Sequence, residues 1–421
     1  MEDKPNTARR GRQITDEEAQ KVATLSRSLA SCAKGAVLLP GPPEELWELC
    51  DFLPRLPGPW QKKWAARWPG QVRQVSVDLF AKALALLDAN HNSVHESVRV
   101  IDRVLSGNEP APSSLYVGLA GPTVSKEVAI AEGVKILSGD RFPGPNRWPW
   151  NSTPELLPPQ RPTCCIKVAL PAEAPFATAD KMQDEKWCHP DRPHFTTSLE
   201  LGWQIAAFVG LLMFPAPVRN LGTRFSFDHH LLNVLTGCES SSWSPLGPQA
   251  SLTAEPRPLE ESVAAKWAAL QNLGDHREAV LLACDRIGRY VQELRPQDRC
   301  VEACIAIEAL FADGGADAAT YKVVRRCARF LRQGVADRAE LGKHLNRAMV
   351  LRGQIVHGVP FNRALKEREK KEREKQIDGV NEMAKAVVES VRKLLTLPRY
   401  PSADDLDYGP CEEGESAPGG A

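Results

Sequence analysis

Met349-Val-Leu-Arg-Gly-Gln-Ile-Val-His-Gly358 stands near the end of an amphipathic pattern and decides how the last third of the chain is read. It spaces Arg352 and His357 as arginine, four residues, histidine. Arginine offers a phosphate a planar fork of donors, and histidine can move a proton near neutral pH. The spacing alone is not distinctive. Arg224 to His229 repeats it, and Arg224 to His230 and Arg338 to His344 differ by one intervening residue. What surrounds the stretch separates it from these copies. Leu341, Leu345, Ala348, Arg352 and Ile355 form an inward stripe, predicting a helix that starts at the capping-box-like Asp337-Arg-Ala-Glu340 and stops at Pro360. Arg224 lies in an aromatic, strand-like stretch, and Arg338 to His344 is the solvated start of the same helix.

A charge on an inward stripe needs a partner, a ligand or an opening to solvent. Residues five apart on a straight helix differ in direction by about 140°. Arg352 and His357 therefore converge only if the helix loosens between them, which Gly353 permits, or if two copies bring both pairs into one cleft across a twofold axis. The second arrangement predicts a homodimer.

Outward from this stretch, helical periodicity continues in both directions. Val280, Cys284, Ile287, Val291 and Leu294 make an inward seam that Pro296 ends. Val301, Ile305 and residues 307–311 make a more apolar helix, closed by Gly314-Gly315. A third helix turns Thr320, Val324, Cys327 and Leu331 inward, with Lys322, Arg325, Arg326, Arg329 and Arg332 on other faces. A last helix is expected from about Asn362 to Leu397, its first half a solvated charge run with pairs such as Glu367 and Lys371.

The 421 residues suffice for two or three domains of roughly 150 residues each. With 43% hydrophobic and 25% charged residues the composition is that of a soluble globular protein. A formal net charge of zero excludes a global basic field, so any nucleic-acid site must be a local patch. The 11 cysteines are odd in number and contain no C-x-x-C pair. Cys284, Cys304 and Cys327 read as small buried apolar residues of a reduced, cytoplasmic protein. Met1 to Thr15 is polar, with Arg9, Arg10 and Arg12, and lacks the apolar run of a secretory signal. Leu199 to Phe214 is short for a membrane span and carries Glu200 and Gln204, so no membrane association is expected.

The chain divides on these grounds into a disordered tail (1–14), a helical region (15–107), a mixed α/β or irregular region (108–240), a linker (241–258), a helical bundle (259–397) and a disordered acidic tail (398–421). The fold class is mainly α. Within the first region Thr15-Asp-Glu-Glu18 and Ser93-Val-His-Glu96 are capping patterns. Trp60-Gln-Lys-Lys-Trp64-Ala-Ala-Arg-Trp68 reads as a helix packing its tryptophans inward, in preference to a stacking platform for nucleic acid, and Val72, Val75, Leu79, Ala83 and Leu86 continue the stripe. In the middle region Leu115 to Leu119 and Cys165 to Leu170 read as strands, and Leu199 to Phe214 as a buried helix or strand. Cys188, His189, His194, and Asp228-His229-His230 are the best metal-ligand candidates, but adjacent Cys188 and His189 rarely reach one ion. No metal and no cofactor are assigned.

Three segments together carry a resemblance. Gln297-Asp-Arg-Cys-Val-Glu-Ala-Cys-Ile-Ala-Ile-Glu-Ala-Leu-Phe311, the basic helix Tyr321 to Arg332, and Leu351-Arg-Gly-Gln-Ile-Val-His-Gly358 resemble, in order and spacing, the Apea-like branch of the HEPN superfamily. The resemblance covers roughly residues 277–397. It implies a bundle of four or five helices that dimerises and acts on RNA, in many members as a metal-independent endoribonuclease, including effectors of bacterial defence or stress. It assigns Arg352 to the scissile phosphate, His357 to general acid or base work, and Glu308 to the family's acidic position, with Gly353 and Gly358 as supporting positions. Family nucleases commonly carry a polar residue where this chain has Gly353. Some members bind only nucleotides or protein partners, and a non-catalytic interaction protein is the alternative reading.

Overall fold

The computed structural model describes residues 13–34, 44–68, 71–88, 93–107, 110–143, 162–173, 175–178, 193–228, 230–236, 255–312, 319–359, 361 and 366–408. The fold is mainly α, with 13 α-helices among the described residues. Residues 1–12, 241–254 and 409–421, and with them most of the three segments read as tails and linker, lie outside that description.

Helices α1 (Asp16–Lys34), α2 (Glu44–Phe52), α3 (Val77–Asp88) and α4 (Val94–Ser106) enclose an N-terminal core around Leu29, Leu49, Phe80, Leu84 and Ile101. Both capping patterns form. Thr15 Oγ1 accepts from the Glu18 amide while Glu18 Oε2 accepts from the Thr15 amide, and Ser93 Oγ accepts from the Glu96 amide.

The tryptophan segment corrects the helical reading. Pro59–Gln61 is a single 3₁₀ turn, and β1 (Trp64–Trp68) pairs antiparallel with β2 (Gln71–Gln74) and with β8 (Phe176–Thr178). The register sets Trp68 opposite Gln71, across Pro69-Gly70 in the sequence. A Pro-Gly pair is turn punctuation, and here it outweighs an i, i+4 tryptophan spacing. Trp60 and Trp64 are nonetheless buried, and their indole N–H groups donate to Leu56 O and Pro59 O.

The middle region is a five-stranded antiparallel sheet in the order β5-β6-β7-β3-β9. Its strands are β3 (Ala111–Ala120), β5 (Val128–Ala131), β6 (Val134–Ser138), β7 (Cys164–Glu173) and β9 (Arg219–Phe227), while β4 (Pro122–Thr123) pairs with β10 (Arg257–Pro258). The 108–240 region also contains α5 (Pro193–Met213), which settles Leu199 to Phe214 as helix, and α6 (His230–Thr236). Gly202 brings α5 onto β3. A methyl at 202 would stand 2.9 Å from Val117 Cγ2. By length and apolarity, His194–Met213 would also suffice to cross a membrane, and 39% of that span is buried inside the fold.

The C-terminal bundle comprises α7 (Val263–Gln271), α8 (Arg277–Gln292), α9 (Pro296–Phe311), α10 (Ala319–Leu331), α11 (Val335–Val356), α12 (Glu367–Leu394) and α13 (Ala403–Tyr408). Pro296 starts α9 as its first residue, where the missing N–H costs nothing. Helix α11 begins two residues before Asp337, with Gly334 as N-cap and no side-chain cap, so Asp337 lies in the first turn. Gly379 lets α12 close on α11, since a Cβ there would stand 2.5 Å from His344 O. The sheet, α5 and the bundle share one continuous core. Phe208 meets Trp267 edge-on at 5.4 Å, Arg277 Nη2 donates to Gln204 Oε1 at 2.7 Å, and Arg392 Nη2 donates to Leu212 O at 3.0 Å.

Two further expectations are corrected. Residues 398–408 are not part of a free tail: Tyr400 and Leu406 are buried, and the Tyr400 hydroxyl donates to Leu310 O. Arg326 is not on an outer face. It is 3% exposed and forms a two-pronged pair with Asp407, each contact 2.7 Å, while Nη1 donates to Phe311 O.

Candidate functional site

The end of α11 is built by the packing of its inward face. Leu345, Ala348 and Leu351 are buried against the neighbouring helices, and Cys300 Sγ of α9 reaches Ala348 O at 3.5 Å. This fixes α9 beside α11 at the level of Glu308 and Arg352. Arg352 Nη2 donates to Glu308 Oε2 at 3.2 Å, with the two side chains about one-third exposed. The charge on the apolar stripe thus has the partner its position requires. Its Nε–H is buried and, among the described residues, has no acceptor.

Helix α11 does not loosen between Arg352 and His357. It runs to Val356, and the His357 amide still donates to Gly353 O at 3.0 Å. The turn comes after it. Gly358 takes φ +74, its amide donates to Ile355 O, and the Val359 amide donates to Gln354 O. That bond pair is the Schellman termination, and the left-handed residue it requires is the reason for glycine at 358. His357 is exposed at the C-cap. With about 140° between them, Arg352 turns to α9 while His357 turns elsewhere, and among the described residues no hydrogen bond joins them.

Gly353 lies in the helix with open space where a Cβ would stand. A side chain at this position meets no steric obstacle. On α12, Arg373 donates to Gln354 Oε1 and stacks over the Phe361 ring at 4.6 Å, bracing the end of α11.

The competing sites fare differently. Arg224 lies in β9, where Nη1 donates to Pro143 O. His344 Nε2 faces Glu340 Oε1 within α11 at 3.2 Å. Of the metal candidates, Cys188, His189 and His229 lie outside the described residues, His194 is in α5, and His230 opens α6. Among the described residues no group of three His, Cys, Asp or Glu side chains is placed to hold a metal. Cys284, Cys304 and Cys327 are fully buried, and burial pushes the Cys327 thiol up to about 12. They supply no thiolate at neutral pH.

Residue periodicity did not single out the basic lining of a cleft between α10 and α11, which brings Arg325, Arg329, Lys343 and Arg347 together. The available signal was a pair of like charges four apart on each of two neighbouring helices. No family model matches the chain, and neither does any curated protein or solved structure.

Proposed function

We propose that the C-terminal bundle is an RNA site of the HEPN type, completed by two copies of the chain and acting as a metal-independent endoribonuclease. The observation that carries this reading is Arg352 itself. It is a one-third-exposed guanidinium held by Glu308 of the neighbouring helix, one and a half turns before an exposed His357. The divergence of the two side chains on one helix favours a site shared across a twofold axis, where Arg352 of one copy and His357 of the other approach one phosphate. Arg352 would neutralise the phosphate as charge builds on it. His357 would take the proton from a ribose 2′-OH, whose oxygen attacks the adjacent phosphorus, or return a proton to the departing 5′-oxygen. The products are a 2′,3′-cyclic phosphate and a free 5′-hydroxyl. Proton transfer of this kind is worth about 10²- to 10⁴-fold in rate. The role as a cytoplasmic effector of bacterial defence or stress rests on the sequence resemblance.

The test is cleavage of mixed RNAs by the full chain with a chelator present. Arg352→Ala and His357→Ala should each abolish cutting while the melting temperature stays within a few degrees. Mixing the two inactive proteins should restore part of the activity, because one composite site of the mixed dimer is intact. Persistent cutting by either variant refutes the site.

The Arg352–Glu308 pair also supports a second reading, a non-catalytic interaction bundle in which the pair is structural. In that case Arg352→Ala lowers the melting temperature strongly, His357→Ala leaves it unchanged, and the wild-type chain cuts nothing.

A further inference from the structure

A groove of about 700 Å³ lies between α10, α11 and α12. Arg325 and Arg329 line it from α10, and Arg338, Lys343 and Arg347 from α11. Glu372 of α12 is the acid in the lining. Among the described residues no carboxylate forms an ion pair with Arg325, Arg329, Arg338 or Arg347, and Lys343 reaches only the exposed Glu340, at 3.6 Å. One guanidinium nitrogen of Arg329, Nη1, is buried and has no hydrogen-bond partner among the described residues. Like charges four apart on a helix repel each other, and this groove sets two such pairs, Arg325 with Arg329 and Lys343 with Arg347, on facing helices. Among the described residues these five cations outnumber the nearby carboxylates Glu340, Glu372 and Asp407, so the groove carries an excess of positive charge that suits an anion.

The shape of the array identifies the anion's class. From Arg338 to Val350 the lining follows α11 for about 18 Å, longer than one phosphate needs. Tyr321, 62% exposed, and Val350, 54% exposed, also line the groove and offer flat or apolar contact beside the cations. Cations that follow a backbone, next to exposed aromatic surface, are the features that hold single-stranded nucleic acid. The stripe Lys343, Asn346, Val350 reaches His357 seven residues later, about 20° away in direction and about 10.5 Å further along the axis. A second copy of the chain is a poor occupant, because a twofold contact here would set positive charge against positive charge.

We propose that this groove holds the phosphodiester backbone of single-stranded RNA and leads it to the His357 end of α11. The proposal rests on the RNA reading of Arg352 and His357, but its residues are separate from that pair. Binding of a fluorescent single-stranded RNA oligonucleotide to the full chain, measured by anisotropy across a salt series, tests it. Arg329→Gln/Arg347→Gln should weaken binding at least about tenfold, as expected for charge-assisted contacts. It should also flatten the salt dependence by about 1.4 in log–log slope, the loss expected for two phosphate contacts on a single strand. Tyr321→Ala should weaken binding about fivefold or more with the slope unchanged. The double variant should keep the wild-type melting temperature and sedimentation mass.

Unchanged affinity in the double variant overturns the proposal, as does a duplex of equal length binding as tightly. So does complete displacement of the RNA by excess inorganic phosphate at constant ionic strength. A change of oligomeric state in the double variant would make the groove an interface, which also overturns it. If Arg352→Ala and His357→Ala abolish cleavage while groove variants bind normally, the groove assignment fails alone. If groove variants lose RNA while Arg352→Ala and His357→Ala still cut, the catalytic reading fails alone.

Discussion

Two glycines of the bundle make opposite predictions. At Gly353 nothing lies within 4 Å of a built Cβ, and the residue is inside a regular helix. Gly353→Ala should therefore stabilise the protein by about 0.5–1 kcal/mol, the usual gain in a helix interior, seen as a higher urea midpoint. At Gly379 the added methyl meets the His344 carbonyl at 2.5 Å and the Ala348 amide at 3.3 Å, both backbone atoms that cannot swing away. Gly379→Ala should cost about 1–3 kcal/mol as α12 is forced off α11. A destabilised Gly353→Ala would show that residue 353 needs more freedom than its geometry implies. Residue by residue, the sequence was readable where a local rule applied. Arg352 on an apolar stripe required a partner, and Glu308 is there; Pro360 marked a helix end, and α11 stops at Val356. Arg326 was not readable, because its neighbours Arg325 and Arg329 look the same in sequence. Its partner Asp407 lies 81 residues away.

That distant pair makes α13 a latch on the bundle. Arg326 spans Asp407 and Phe311 O, Tyr400 reaches Leu310 O, and the His276 ring stacks on Tyr400 at 4.0 Å. Arg326→Ala removes charge-assisted hydrogen bonds to Asp407 and Phe311 O, but the Asp407 it leaves is about a quarter exposed and can meet water, so the change should cost about 1.5–3 kcal/mol. The hydrogen bonds from Arg326 hold the Asp407 carboxyl below the usual carboxylate range. A depressed folded pKa means that the ionised pair stabilises above the unfolded pKa, near 4, and is lost as pH falls through the lower folded value. The stability gap between wild type and Asp407→Asn should thus be constant from neutral pH to about 5 and shrink below about 4. Urea titrations at several pH values measure it, and a gap that widens in acid would contradict the pairing. An acidic, Pro/Gly-rich composition describes residues 398–421 as a whole and hides the short segment that docks. The tryptophan strand was misread for a related reason. Spacing of four fits a helix, but the Pro-Gly pair after Trp68 and the partner strand β8, more than a hundred residues later, decide for a hairpin.

At the scale of the whole molecule, periodicity identified helices and strands but not which of them share a core. The boundary drawn between the middle region and the bundle runs through one hydrophobic core. Helix α5 covers the sheet on one side and meets α8 on the other, with Phe214 against Tyr290 at 6.4 Å and Gln292 Nε2 donating to Val218 O at 3.0 Å. A fragment beginning at residue 255 would uncover Trp267, the α8 face and the polar groups of Arg277, Gln292 and Arg392 that α5 and its flanks now satisfy. Large apolar patches exposed this way associate or bind hydrophobic dyes. The 255–408 fragment should accordingly melt well below the full chain and migrate as larger species in size exclusion. A monomeric fragment with the full chain's melting temperature would show that the bundle stands alone. The same contacts reach the proposed site. Helix α5 packs on α8, and α8 packs on the α9 helix that carries Glu308, so the sheet and the Glu308–Arg352 pair are joined through one packed layer.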